Sequence, residues 1–184
     1  FLAPNISSLN ASPFTQGMEF LELSFNTVFL KKTEMYKEIG GDESKKSAAL
    51  LKVLREAKSK SLIYAGTYSS IDSIANLLID KLQPVENPLL NSFADWLSKN
   101  YSSNWQLTNL IFRVVCIHTG QLHRSLSQIQ VRLFEEDACL ENIISTSSII
   151  EGVNTCAKNV IICKSKKCNT KLDDFTYKNI IGRG

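Results

Sequence analysis

The chain has 184 residues, 43% of them apolar and 21% charged, with a net charge of +3. That length suits one domain with a real hydrophobic core, and so mild a positive balance does not by itself mark a nucleic-acid binder. No apolar run is long enough to cross a bilayer, and no basic region precedes an apolar core at the N-terminus, so a cytoplasmic protein without a membrane partner is expected.

Residues 1–16 mix Pro, Ser and Asn with a few apolar anchors and read as a linker or irregular lead-in. Residues 18–30 are rich in β-branched and aromatic side chains and predict a strand or strand pair. A turn at 40–44 leads into a helix running to about residue 58, with Ala48, Leu51 and Leu54 at helical spacing. Residues 1–60 are therefore assigned as a lead-in and interdomain segment, and 61–184 as the main domain.

From residue 61 the element types alternate. A strand is expected at 61–65, a polar turn at 66–70, and a helix at 71–82 carrying Ile74, Leu77 and Leu78. Pro84 and Pro88 break the chain. Helical pieces at 93–99 and 105–112 form an insertion spanning about 84–112, whose Trp96, Tyr101 and Trp105 are expected as a small core cluster. A strand at 113–117 precedes a helix at 122–136, with Leu126, Ile129, Leu133 and Phe134 inward. Strands follow at 142–145 and 159–163, then a helix at 173–181 capped by Asp173. Short buried strands alternating with helices predict an α/β fold, a parallel sheet with helices on both faces. Such sheets bind ligands beyond the carboxyl ends of their strands.

Three turns at those ends carry chemistry. Gly66-Thr67-Tyr68-Ser69-Ser70 combines a tight turn with hydroxyls that can meet a phosphate or cap a helix, Ser69 or Ser70 being the expected cap. His118-Thr119-Gly120 offers a hydroxyl and an open amide, with the His118 ring expected to be hydrogen-bonded inside the domain. Thr146-Ser147-Ser148 places hydroxyls after a strand and before one helical turn, and further on Gly152 permits close backbone approach while Asn154 presents an amide. Each has a plain alternative: helix caps, a core histidine and a surface turn. Five cysteines without a C-x-x-C pair predict reduced, mostly buried thiols, and no metal site is expected. His118 and His123, five residues apart, do not share a helical face.

The order S-T-S-x-x-x-E-G-V-N from Ser145 to Asn154, followed by N-I-x-G-R-G from Asn179 to Gly184, resembles motifs V and VI of superfamily 2 DEAD/DEAH-box helicases. The 66–70 turn resembles their motif IV, and the His118 turn resembles their H-x-G-L segment. The family often has Gln where Asn179 stands, and the closing Arg of its motif VI would fall after Gly184.

That resemblance implies a RecA-like helicase C-terminal domain, the second motor domain of an ATP-dependent helicase. Thr67, Thr119, Gly120 and Thr146 would then contact a DNA or RNA strand. Gly152, Asn154 and Arg183 would face ATP, with Arg183 as the catalytic arginine finger on the γ-phosphoryl group. Neither a G-x-x-x-x-G-K-[ST] loop nor a D-E-x-[DH] box occurs in the chain. A partner N-terminal RecA-like domain is therefore expected to supply the phosphate loop and to hold most of the Mg2+ coordination, and this segment alone is expected to be inactive. The rival readings are a non-catalytic RecA-like module that binds nucleic acid or protein, and an unrelated α/β enzyme such as a nucleotide-sugar transferase.

Overall fold

The computed structural model describes residues 31–136, 139–148, 155–164, 166–167 and 170–182. The expected strand region at 18–30 lies outside them. The chain divides into two units, 1–35 and 36–184, and the second carries the sheet and its helices.

Helices α1 (Tyr36–Ile39) and α2 (Glu43–Glu56) come first, the latter capped by the Asp42 carboxylate, which accepts from the amides of Ser44 and Lys45. Leu50 of α2 belongs to the main core. Strand β1 (Ser61–Tyr64) follows, then α3 (Tyr68–Lys81), α4 (Pro88–Asn100) and α5 (Gln106–Ile111). Next come β2 (Val115–His118), α6 (Arg124–Glu135), β3 (Asn142–Ser145) and β4 (Asn159–Ile162). A short antiparallel pair, β5 (Lys166–Lys167) and β6 (Thr170–Lys171), precedes α7 (Asp174–Ile181), which Asp173 caps as expected.

The four main strands form one sheet in the order β2-β3-β1-β4, every pairing parallel. The fold is thus α/β, a parallel sheet surrounded by helices. All residues of β1 and β2 are buried, as short strands covered on both faces require. Helix α3 turns Ile71, Ile74, Ala75 and Leu78 inward, a 3.6-residue stripe. The insertion is continuous with the core: Leu90, Ala94 and Leu97 of α4 and Leu107, Leu110 and Ile111 of α5 are all buried in it.

Two expectations need correction. Ile129 is 41% exposed, and Gln130 is buried in its place. The inward stripe of α6 is Leu126, Gln130, Leu133 and Phe134, and at about 100° per residue Ile129 lies roughly 85° from its centre. Gln130 has work there. β2 is the outermost strand on its side among the described residues, and the Gln130 Oε1 accepts from the Ile117 amide at 3.0 Å while its Nε2 donates to the Leu126 carbonyl at 3.3 Å. A buried edge amide is thereby satisfied without another strand.

The second correction concerns the aromatic cluster. Phe93, Trp96, Tyr101 and Trp105 do form a series, with successive ring centroids 6.5, 5.9 and 5.2 Å apart. Trp96 and Tyr101 lie at the surface, however, 46% and 53% exposed, while Phe93 and Trp105 are half-buried and pack against the core. The α4 stripe that enters the core is Leu90, Ala94 and Leu97, which leaves Trp96 on the outer side. Among the described residues no helix is long and apolar enough to cross a membrane.

Candidate phosphate-binding edge

The order β2-β3-β1-β4 sets four strand exits side by side at the carboxyl edge. The pairing continues past the strands, because the Ala65 amide donates to the Ser145 carbonyl at 2.8 Å and the Cys163 amide to the Tyr64 carbonyl at 3.0 Å. The three sequence-predicted turns are therefore neighbours in space, and the β4 exit adds Lys164.

After β1, Gly66 adopts φ +80°, a conformation glycine enters without steric cost. Thr67 then takes an extended backbone and caps α3, its Oγ1 accepting from the Ser70 amide at 3.3 Å. The cap is thus Thr67, not Ser69 or Ser70, because the helix begins one turn earlier than its apolar spacing indicates. Thr67 Oγ1 also lies 2.8 Å from Ser70 Oγ and 3.3 Å from Ser69 Oγ. Lys164 reaches this cluster, its Nζ donating to Ser70 Oγ at 3.3 Å and Thr67 Oγ1 at 3.5 Å.

That placement is electrostatically unusual. The amino end of a helix carries partial positive charge and favours anions, whereas cations stabilise the opposite end. Two cations that bond backbone carbonyls here obey the rule. Lys60 donates to the carbonyls of Phe134 and Glu136 at the end of α6, and Arg113 donates to the Leu82 carbonyl after α3 and the Asn109 carbonyl in α5. Lys164 instead faces the amino end of a 14-residue helix, so positive potential converges on a group of hydroxyl donors.

After β2, His118 and Thr119 are both buried. Ser148 Oγ sits 3.3 Å from His118 Nδ1 and 3.4 Å from the His118 carbonyl oxygen, so one hydroxyl ties the β3 exit to the β2 exit. Burial pulls the His118 pKa below its ordinary value, against a smaller opposing effect from its backbone hydrogen bond, which keeps the ring neutral near pH 7. The expected internal role of His118 is what the geometry shows. Gly120 is exposed, and a Cβ there would meet nothing within 4 Å, so its backbone is open to an approaching ligand.

After β3, Ser145 Oγ donates to the Thr146 carbonyl at 2.7 Å, and Thr146 Oγ1 lies 3.3 Å from Ser148 Oγ. Thr146 is buried. Of the four expected strand contacts, Thr67 and Gly120 are thus reachable from solvent, while Thr119 and Thr146 lie beneath them. Gly152, Asn154 and Arg183 lie outside the described residues. Among the described residues no group of His, Cys, Asp or Glu is arranged to hold a metal ion. The donors present are hydroxyls, amides and an amine, a set suited to phosphate oxygens and not to Mg2+, so no Mg2+ step is assigned to them. No motif singles out Lys164; the run of Lys164, Lys166 and Lys167 directly after a predicted strand is the signal that could have found it.

An α/β domain with a parallel sheet and a donor-rich carboxyl edge is the class these features define. No family model matches the chain. Over 167 residues it is 34% identical to Anti-bacteriophage protein B of Escherichia coli strain K12, a match covering 89% of this chain. The chain spans only about a fifth, 22%, of that protein's length.

Proposed function

We propose that this chain is the second RecA-like motor domain of an ATP-dependent superfamily 2 helicase, acting in a longer protein that protects a bacterium against phage. The observation that carries the reading is the convergence of the Thr67, Gly120 and Thr146 turns on one sheet edge, with Lys164 aimed at an already positive helix end. The antiphage setting rests on the name of the E. coli relative.

In this reading Thr67, Ser70 and Lys164 hold one phosphate of a DNA or RNA strand, and the Gly120 amide holds a neighbouring one. Contacts of this kind position a strand without reading its sequence. Thr146 acts from below, fixing the turns through its contact with Ser148 and the Ser148–His118 link, while Thr119 supports the Gly120 turn from the end of β2. ATP binds at the cleft with the first motor domain, where Gly152 and Asn154 contact the nucleotide and Arg183 stabilises charge on the transferred phosphoryl group. Such an arginine contributes about 10³–10⁵ in rate. One peptide, residues 145–154, then joins the strand turn to the nucleotide side, so ATP state biases grip on the strand.

The test is ATP turnover by the full-length protein, with and without single-stranded DNA or RNA, beside Arg183→Ala. Strand-stimulated turnover that collapses in a folded Arg183→Ala protein is expected. Turnover indifferent to both the strand and Arg183 would refute the motor.

A further inference from the structure

Between two of these turns lies a cavity of about 290 Å³, bounded by the first turn of α3, the start of α5 and the exit of β2. We infer that it is a nucleobase pocket, receiving one base of the strand whose phosphates lie on the adjoining turns; this rests on the motor reading above.

The wall chemistry fits a base. Tyr68 and Trp105 contribute aromatic rings, and Asp72, Gln106, Thr119 and Gln121 contribute polar groups beside the apolar Ile71 and Leu107. Single-stranded bases are bound in this way, by stacking on aromatic rings and hydrogen bonding along their edges. The volume sits at the small end of ligand sites, suited to one planar ring system. Location supplies a second argument. Tyr68 directly follows Thr67, and Thr119 directly precedes Gly120, so the pocket opens between the two solvent-reachable strand contacts. Asp72 supplies a third. A carboxylate repels phosphate but accepts from N–H groups, so the pocket takes the base and leaves the backbone to the hydroxyl turns. It also favours an exocyclic amino group over the N3–H of thymine or uracil, which lies between two carbonyl oxygens that repel a carboxylate.

Trp105 has a further part, because it ends the aromatic series that runs outward through Tyr101 to Trp96. The exposed faces of Tyr101 and Trp96 continue the pocket into a surface on which the neighbouring bases stack. The helical insertion thereby acquires a role as a stacking platform beside the sheet.

The experiment is fluorescence anisotropy of the full-length protein with 12-nucleotide strands, oligo(dC), oligo(dT), an abasic strand of equal length, and the RNA counterparts. The parent protein should prefer the C strand to the T strand, and both to the abasic one. Tyr68 and Asp72 are exposed, so Tyr68→Ala and Asp72→Ala should fold normally, as circular dichroism and Tm will show. Tyr68→Ala should weaken binding of base-bearing strands about five- to hundredfold, the range for one lost stacked base, and leave the abasic strand unaffected. Asp72→Ala should abolish the preference for C over T. Gln121→Ala, at a position on the same pocket wall, provides a second edge contact to remove. Equal binding of base-bearing and abasic strands, or unchanged binding in Tyr68→Ala, overturns the pocket. If Lys164→Ala nonetheless weakens every strand, phosphate binding at the edge stands while the pocket falls. A parent protein that binds none of the strands overturns both.

Discussion

Replacing Lys164 by Ala separates a phosphate contact from a structural lysine. Among the described residues its Nζ donates to neutral hydroxyls, at 3.3 and 3.5 Å, beside the amino end of α3. Those bonds are long, so losing them costs about 0.5–1.5 kcal/mol, and removing a cation from a positive helix end returns about 0.3–1 kcal/mol. The two nearly cancel, so Tm should move by no more than a few degrees. Strand binding should respond differently. A half-exposed ion contact is worth about 1 kcal/mol, so affinity should fall roughly fivefold at low salt. Each phosphate contact on a single strand contributes about 0.7 to the slope of log K against log salt. Between 50 and 200 mM salt, conditions chosen for the assay, the parent should therefore lose about 2.6-fold more affinity than Lys164→Ala. Anisotropy titrations with a labelled 12-nucleotide strand across that range measure both quantities. A variant with the parent's slope and affinity would show that Lys164 meets no phosphate, and the converging positive potential would then have no role in strand binding.

Other outcomes attach to single residues. Gly120→Ala should keep or slightly raise Tm, because its added Cβ meets nothing within 4 Å and glycine replacement at a compatible site gives about 0.4–1 kcal/mol. It should weaken strand binding by crowding the amide, and equal binding by parent and variant would remove Gly120 from the interface. Gln130→Leu leaves the Ile117 amide buried without its acceptor, costing about 1–3 kcal/mol; a chemical denaturation midpoint identical to the parent's would contradict this. His118 has a folded pKa below its ordinary value, so the unfolded chain binds that proton more tightly. Its contribution is fully present above the unfolded value near 6.5 and is lost as pH falls through it toward the folded value. Denaturation midpoints at pH 7.5 and 5.5 should show a smaller loss in His118→Gln than in the parent, and identical losses would exclude the ring as the source. Among the described cysteines, Cys156 is exposed while Cys163 is pushed up to about 11 by burial and Cys116 is raised further still. Iodoacetamide at pH 8 followed by peptide mass mapping should label Cys156 well before either, and prior labelling of Cys163 would contradict the packing around β4.

Much of the sheet was legible because its strands are short, fully buried and bounded by polar turns. The expected 61–65, 142–145 and 159–163 segments coincide with β1, β3 and β4 to within a residue. The 113–117 expectation began early for a local reason. Arg113 closes the preceding turn through its bonds to the carbonyls of Leu82 and Asn109, and Val114 adopts φ +56°, outside strand geometry. Apolar spacing also misplaced helix starts. It marks where a helix touches the core, whereas α3 and α4 begin earlier, at Thr67 and Asn87, whose side chains hold the first amides. Pro88 read as a breaker because a proline ends one helix as readily as it opens the next. At the site, each turn could be found from its own residues. The Lys164 contact and the Tyr68–Trp105 pocket join residues 37 or more positions apart, and no local pattern reports their meeting.

Lys60, Arg113 and Lys164 sort by edge, and that sorting supports the proposal of a ligand at the carboxyl side. Lys60 lies 5.4 Å over the Phe134 ring while bonding the last carbonyls of α6, so its charge is used within the fold. Arg113 does the same for the ends of α3 and α5. Both relieve carbonyls that would otherwise be left with partial negative charge. Lys164 relieves nothing of that kind, because the hydroxyls it meets are already engaged with one another and with the first amides of α3. A domain selected for stability alone gains little from a cation there. In the proposed reading an anion completes the arrangement, and a nucleic-acid phosphate is the one that would also use the open Gly120 and the adjoining cavity.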